Sequence, residues 1–307
     1  MDTSEKQIKN SRCLVAGGRG FIGSRVVDRL LDLGAEEVVV LERAAGKKQT
    51  KKSSVRYISC DLVRDESVRI IRKLGAFDYV FNMIGVTDQR MPHPNPIELF
   101  DANVRTLIHL TQGIGWKNVR GAVHVGSNAE YGALLPPHHE DMNPRPVNVY
   151  GWSKSSASSY ALMMTMAGFA KWCVARPFFV YGPGKQTGLI PKLITTLGKG
   201  ESFVISGNST RDPVYVDDAA VGLIRLAVCP EAKGEIVNIC GGKEIPIRTI
   251  ARMIQRNVGK GEIIFKSETR PGDMLRSHGS IKKLKALTGW SPSTTVSVGI
   301  GRILKGY

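Results

Sequence analysis

Tyr150 and Lys154, in the stretch Tyr150-Gly151-Trp152-Ser153-Lys154, stand four residues apart and would lie one above the other on a single helix face. An ammonium beside a phenol stabilises phenolate and lowers its pKa. A phenolate near neutral pH could take a proton from a sugar or alcohol hydroxyl while hydride leaves the same carbon. The pair therefore points to redox chemistry on a carbon–oxygen bond. The same spacing also occurs on ordinary solvated helices, so its weight depends on the elements that would position it.

The hydride carrier is read from the N-terminal part of the chain. Arg12 to Ala16 is a short apolar run suited to a buried parallel strand, and it leads directly into Gly17-Gly18-Arg19-Gly20-Phe21-Ile22-Gly23. Gly17 would permit the tight turn, Gly20 would let the backbone approach a pyrophosphate, and Gly23 would allow close helix–strand packing. Val26, Val27, Leu30 and Leu31 recur at helical spacing until Gly34. The start of that helix would offer N–H groups and a positive dipole end to phosphates, through Phe21 and Ile22 among others.

A second apolar run, Val38 to Leu41, ends in Glu42, about twenty residues past the turn. A carboxylate there would accept hydrogen bonds from an adenosine ribose diol and repel a 2′-phosphate, which favours NAD. Arg19, Arg43, Lys47 and Lys48 could instead hold a 2′-phosphate, which leaves NADP open. After the third strand, Val55 to Ser59, the sequence Cys60-Asp61-Leu62 places an acid that could reach the adenine amino group or cap a helix.

Strands at Cys13–Ala16, Glu37–Leu41, Val55–Ser59, Tyr79–Met83, Ala122–Val125 and Trp172–Ala175 alternate with helices, including 96–113 and 149–166. The pattern predicts an α/β fold with a doubly wound parallel sheet and ligands at the carboxyl ends of its strands. Met83, Ile84 and Gly85 would then end the fourth strand beside the cofactor. Residues 1–182 form the expected dinucleotide-binding unit. Residues 183–307, broken by Gly and Pro, form a smaller C-terminal substrate-binding lobe.

The 307 residues are 42% hydrophobic and 23% charged, ordinary for a soluble enzyme, but the net charge is +16. Such a balance steers anionic substrates. No nucleic-acid module accompanies it, and the basic run Lys47 to Lys52 reads as a loop. Neither a nucleic-acid nor a membrane partner is expected. Five dispersed cysteines lack metal or disulfide spacing, and no metal site is expected. His138-His139, in Pro136 to Asp141, reads as solvated loop. The polar Met1–Ser11 stretch does not read as a signal peptide, and no apolar run approaches a membrane span, so a cytoplasmic enzyme is expected.

The ordered set of motifs resembles the extended short-chain dehydrogenase/reductases of the NAD-dependent epimerase/dehydratase family, which remodel nucleotide-activated sugars. The resemblance runs from about Arg12 onward. It rests on the glycine turn, Asn103-Val104-Arg105-Thr106-Leu107, Ser127-Asn128-Ala129-Glu130-Tyr131-Gly132 and the Tyr150/Lys154 pair. Further matches are Arg176 to Pro183, Arg211 to Asp218 and Arg270-Pro271-Gly272-Asp273. It implies a Rossmann unit rejoined by about residues 214–242, a discontinuous substrate lobe, and a homodimer formed by helices around Phe100–Gln112 and Tyr150–Met166. It also implies that Ser127 hydrogen-bonds the reacting oxygen, that Lys154 and Asn103 contact the cofactor side, and that Arg211 and Arg270 grip the substrate diphosphate. Leu189, Ile190 and the Phe203–Ile205 segment would line the base pocket. Phe179 stands where the family often has Asn, a departure that alters the usual substrate contact.

Family 4,6-dehydratases carry an Asp-Glu pair where this chain has Asn128 and Ala129, and an amide and a methyl cannot perform that acid–base work. Decarboxylases of the family carry Glu at the position of Ala129. Two reactions remain that need only Ser127, Tyr150, Lys154 and a nicotinamide. They are 4-epimerisation of a nucleotide-diphosphate sugar through a 4-keto intermediate with tightly bound NAD, and NADPH-dependent reduction of a 4-keto-6-deoxy nucleotide sugar. A non-catalytic dinucleotide sensor would use the same fold without need of Tyr150 and Lys154.

Overall fold

Apolar runs without polar alternation need cover on both faces, and the chain provides it with helices on each side of one sheet. In the computed structural model, residues 5–43, 54–268 and 275–306 are described. The first six strands are β1 (Arg12–Ala16), β2 (Glu37–Glu42), β3 (Val55–Ser59), β4 (Tyr79–Asn82), β5 (Gly121–Val125) and β6 (Trp172–Pro177). With Ile236–Ile239 they form a parallel seven-stranded sheet. Its order, reading from β3, is β3-β2-β1-β4-β5-β6 and then Ile236–Ile239. The order reverses its direction of growth between β1 and β4, which opens a crevice at the carboxyl ends.

Successive residues of each strand enter different cores, as the two-residue strand period requires. Cys13, Val15, Val38, Val40, Tyr79 and Phe81 pack on one face, under helix α1 (Phe21–Asp32) and the helix Val216–Val228. Leu14, Ala16, Val39, Leu41 and Val80 pack on the other, with residues of α2 (Glu66–Lys73), α4 (Thr106–Gly113) and α5 (Val149–Met166). Helix α3 (Pro96–Phe100) precedes α4. A separate core gathers Ile190, Leu193, Ile194, Leu197, Ile250, Ile254 and Ile300 from the C-terminal part, beside a parallel strand pair, Ser202–Ser206 and Glu262–Lys266.

Several local expectations change. The helix expected over 96–113 is interrupted by a π-helical turn, Asp101–Arg105, which contains Asn103; such a turn re-aims side chains that an unbroken α-helix would point elsewhere. β4 ends at Asn82, not Met83, and β6 continues to Pro177. His138, expected in a solvated loop, is fully buried. Its ring stacks on Tyr131 with centroids 4.7 Å apart, and its backbone N–H donates to the His278 carbonyl at 2.7 Å. Contact with a segment 140 residues away buries this loop, which local polarity could not foretell. Lys47 to Lys52 and the 270–273 motif lie outside the described residues. Among the described residues no helix is long and apolar enough to cross a membrane.

Candidate active site

The glycine turn is closed by sterics as much as by hydrogen bonds. Gly17 adopts φ 80°, and its carbonyl accepts from the Gly20 N–H at 3.1 Å. A Cβ on Gly23 would stand 2.2 Å from the Gly17 oxygen, so the start of α1 can approach the turn only with glycine there. Gly20 caps α1 without any side-chain hydrogen bond, and Gly20, Phe21, Ile22 and Gly23 line a cleft of about 870 Å³. The positive end of a twelve-residue helix therefore faces open space, a fit for a pyrophosphate. Glu42, at the end of β2, ties this turn down: its carboxylate accepts the Arg19 backbone N–H at 2.7 Å. The Arg19 guanidinium lies over the Tyr57 ring, 4.4 Å from its centroid, and Arg43 follows at the exposed end of β2.

Ser127 follows β5 and caps a short 3₁₀ turn, Asn128–Glu130. Its hydroxyl accepts from the Ala129 N–H at 3.1 Å, and its own N–H donates to Glu130 at 2.7 Å. This reciprocal capping box fixes the Ser127 side chain towards α5. Glu130 is fully buried and accepts two more partners: Ser158 Oγ at 3.0 Å and the Arg176 guanidinium at 2.9 Å. Ser127 lies near Tyr150 and draws the phenol pKa down, against burial. Both side chains line the cleft that holds the glycine turn.

Lys154 sits one helical turn beyond Tyr150. Its ammonium donates to the Val125 carbonyl at 2.9 Å and the Ile84 carbonyl at 3.3 Å. A Cβ on Gly85 would lie 2.6 Å from that nitrogen, so glycine makes room for it. Asn103, in the π-helical turn, holds the same segment from the other side. Its Oδ1 accepts the Val86 N–H at 3.0 Å, and its Nδ2 donates to Ser153 Oγ at 2.9 Å. Asn103 thus joins α5 to the loop after β4.

The expected lowering of the Tyr150 pKa by Lys154 is corrected by this geometry. Burial pushes the Tyr150 phenol up to about 12, with Ser127 pulling the other way. Burial draws the Lys154 ammonium down to about 8, opposed by the charge of Glu130. The lysine is turned towards two carbonyls, and desolvation outweighs its charge at the phenol.

The remaining candidates divide. Met83, Gly85, Asn128, Phe179 and Arg211 line the cleft. The Asn128 amide also donates to Ser277 Oγ at 2.9 Å, linking the loop to the C-terminal segment. Ile190 and Ile205 are packed inside the lobe's own core, and Leu189 and Phe203 pack against it, so these four do not line the cleft. Their apolar character serves burial first. Leu62 is likewise a core residue and Ile84 packs beside it. Asp61 closes a local turn by accepting the Val63 N–H at 3.2 Å and faces Arg64 at 3.6 Å; it does not cap α2. Arg270 lies outside the described residues. The sequence reading passed over Glu130, Arg176, Arg25 and Lys185. Glu130 and Arg176 stood inside quoted motifs, but nothing local marks them as partners 46 residues apart. Among the described residues no group of His, Cys, Asp and Glu gathers to hold a metal ion.

Residues 13–240 match the family model described as the NAD dependent epimerase/dehydratase family. A putative UDP-glucose 4-epimerase of Methanocaldococcus jannaschii is 29% identical across 95% of this chain and 96% of its own length. A UDP-glucuronic acid decarboxylase of Arabidopsis thaliana is 26% identical across 95% of this chain and 87% of its own. The structure of MoeE5 in complex with UDP-glucuronic acid and NAD superposes with a TM-score of 0.83 at 26% identity, covering 96% of this chain and 98% of the other.

The Glu130–Arg176 pair yields a stability test. Arg176→Met leaves a buried carboxylate unpaired and is expected to cost about 3–5 kcal/mol in urea denaturation. Adding Glu130→Gln should recover much of that loss. A single variant within about 1 kcal/mol of the parent would show that the pair does not hold this loop.

Proposed function

The chain belongs to the NAD-dependent epimerase/dehydratase family, and from that premise we propose that it is a nucleotide-diphosphate-sugar 4-epimerase working with tightly held NAD. One observation carries the reading: Ser127 and Tyr150 line the same cleft as the glycine turn, while Asn128 and Ala129 occupy the two positions after Ser127. Relatives with epimerase and decarboxylase names both exist, and Ala129 favours the epimerase. A methyl group provides no carboxylate for the acid–base work expected of a decarboxylase or dehydratase.

The residues fit the cofactor. The uncapped start of α1 would take its pyrophosphate, and Met83 and Gly85 border the cleft. Glu42 does not line the cleft but holds the turn through the Arg19 N–H, and would accept from the adenosine ribose. When bound, oxidised NAD supplies a hydride acceptor that can return the hydride, and a positive charge within the cleft. Ser127 holds the C4 oxygen of the sugar. Once its own proton is lost to solvent, Tyr150 would accept the proton of the C4 hydroxyl as hydride leaves C4. It would return that proton to the C4 alkoxide after the 4-keto sugar has turned its other face to the returning hydride. Lys154, anchored on the Val125 and Ile84 carbonyls, would offer its remaining N–H to the cofactor ribose. Burial holds the Tyr150 phenol neutral, and the positive charge that the cofactor would bring would favour its phenolate. Arg211 would grip the sugar diphosphate from the lobe side, with Arg270 its expected partner.

We further propose a homodimer. Ile97 of α3 is 73% exposed, and Trp152, Met163 and Met166 of α5 are 49%, 55% and 85% exposed. Large apolar side chains gathered on adjoining helices mark an interaction face.

Two outcomes are expected. UDP-glucose or UDP-glucuronate incubated with the chain should give its 4-epimer by NMR without added dinucleotide, and Tyr150→Phe should slow this by about 10² to 10⁴. Release of carbon dioxide, or a requirement for added NADPH, would overturn the epimerase reading. Met163→Glu combined with Met166→Glu should convert a dimer into a monomer in light scattering; a monomeric parent would remove the proposed interface.

A further inference from the structure

Among the described residues, the side chains that line the cleft include Arg19, Arg25, Lys154, Lys185 and Arg211, and no aspartate or glutamate. Four of these have work in the preceding account or visible partners: Arg19 lies over Tyr57, Lys154 is anchored to two carbonyls, and Arg211 donates to the Thr210 carbonyl. Arg25 donates to the Pro183 carbonyl at 3.1 Å and faces Asp217 at 3.6 Å. Lys185 has no role so far.

Lys185 lies in the segment between the strand Phe179–Tyr181 and the helix Leu189–Gly198. Gly184, just before it, adopts φ 88°, a conformation that turns the segment back over the cleft. The Lys185 ammonium donates to the Val180 carbonyl at 2.7 Å and stands 5.1 Å from the centroid of the Phe21 ring. Phe21 is the first residue of α1, directly after the uncapped Gly20. A lysine brought from 164 residues along the chain thus faces the positive end of a helix. Both features repel each other, and burial alone draws the ammonium down to about 8, with no carboxylate opposing. Two convergent positive groups without a counter-charge are costly in a partly dry site unless an anion joins them.

We propose that Lys185 is a diphosphate-binding residue, which keeps one N–H on the Val180 carbonyl and turns the others onto phosphate oxygens above the N-terminus of α1. A dinucleotide pyrophosphate and a sugar diphosphate present the same chemistry, and the nearness of Phe21 favours the former. The inference rests on the nucleotide-sugar reading above, which supplies both ligands.

The test is calorimetric titration of the full chain, freed of any co-purified dinucleotide, with ADP-ribose, UDP, adenosine and uridine. Lys185→Met is expected to weaken ADP-ribose about 10- to 100-fold, the worth of a charge-assisted hydrogen bond, while Lys185→Arg stays near the parent. Adenosine and uridine, which lack phosphate, should bind the variant as they bind the parent. Weakening of UDP in place of ADP-ribose would sustain diphosphate binding and assign it to the sugar nucleotide. Equal affinities of parent and Lys185→Met for both diphosphates would overturn the proposal, as would an equal loss for adenosine and uridine, which marks a structural role. A parent chain that binds neither ADP-ribose nor UDP would instead overturn the nucleotide-sugar reading.

Discussion

A buried carboxylate holds this site together. Glu130 has no exposure to solvent, yet it accepts from the Ser127 N–H, Ser158 Oγ and the Arg176 guanidinium. Desolvating such a group is expensive, and only a full set of donors makes it tolerable. Those donors come from the loop after β5, from α5 and from β6. Satisfying one carboxylate therefore fixes where three elements meet. Ser127 and Tyr150 are brought to the wall of one cleft as a consequence.

The same economy of partners governs the other half of the site. Lys154 is held by carbonyls at the ends of β4 and β5, and Gly85 and Asn103 shape the space around it. The π-helical turn at 101–105 lets Asn103 reach both Val86 and Ser153. A helix distortion, a glycine and a lysine are thus parts of one arrangement. The arrangement places cations and helix dipole around a cleft with no acid among the described residues of its wall, so the site is complementary to ligands that carry phosphate. The high net charge of the chain has at least this local use.

Much of the frame was legible in the residues themselves. Continuous apolar runs need two covered faces, which dictates a parallel sheet between helices, and the strands lie within two residues of the expected limits. The glycine turn was legible because Gly17 and Gly23 answer steric demands made by their immediate neighbours. Tyr150 and Lys154 were legible because helical spacing alone puts them on one face. Ile190 and Ile205 show the opposite case: an apolar residue near a ligand site and one inside a core look alike in sequence, and only the packing of the lobe separates them.

The chain by itself determined its alternating elements, its phosphate-facing turn and the Tyr150–Lys154 pair, since periodicity and turn sterics act over a few residues; Ser127 joined them only through the family resemblance. Tertiary structure decided the rest. It paired Glu130 with Arg176, buried His138 against Tyr131, turned Lys154 to the Val125 carbonyl and brought Lys185 over Phe21. It also set the protonation of the site, raising the phenol and lowering the ammonium. Desolvation and charge pairing depend on neighbours drawn from distant parts of the chain, and those neighbours exist only once the sheet and its helices have closed.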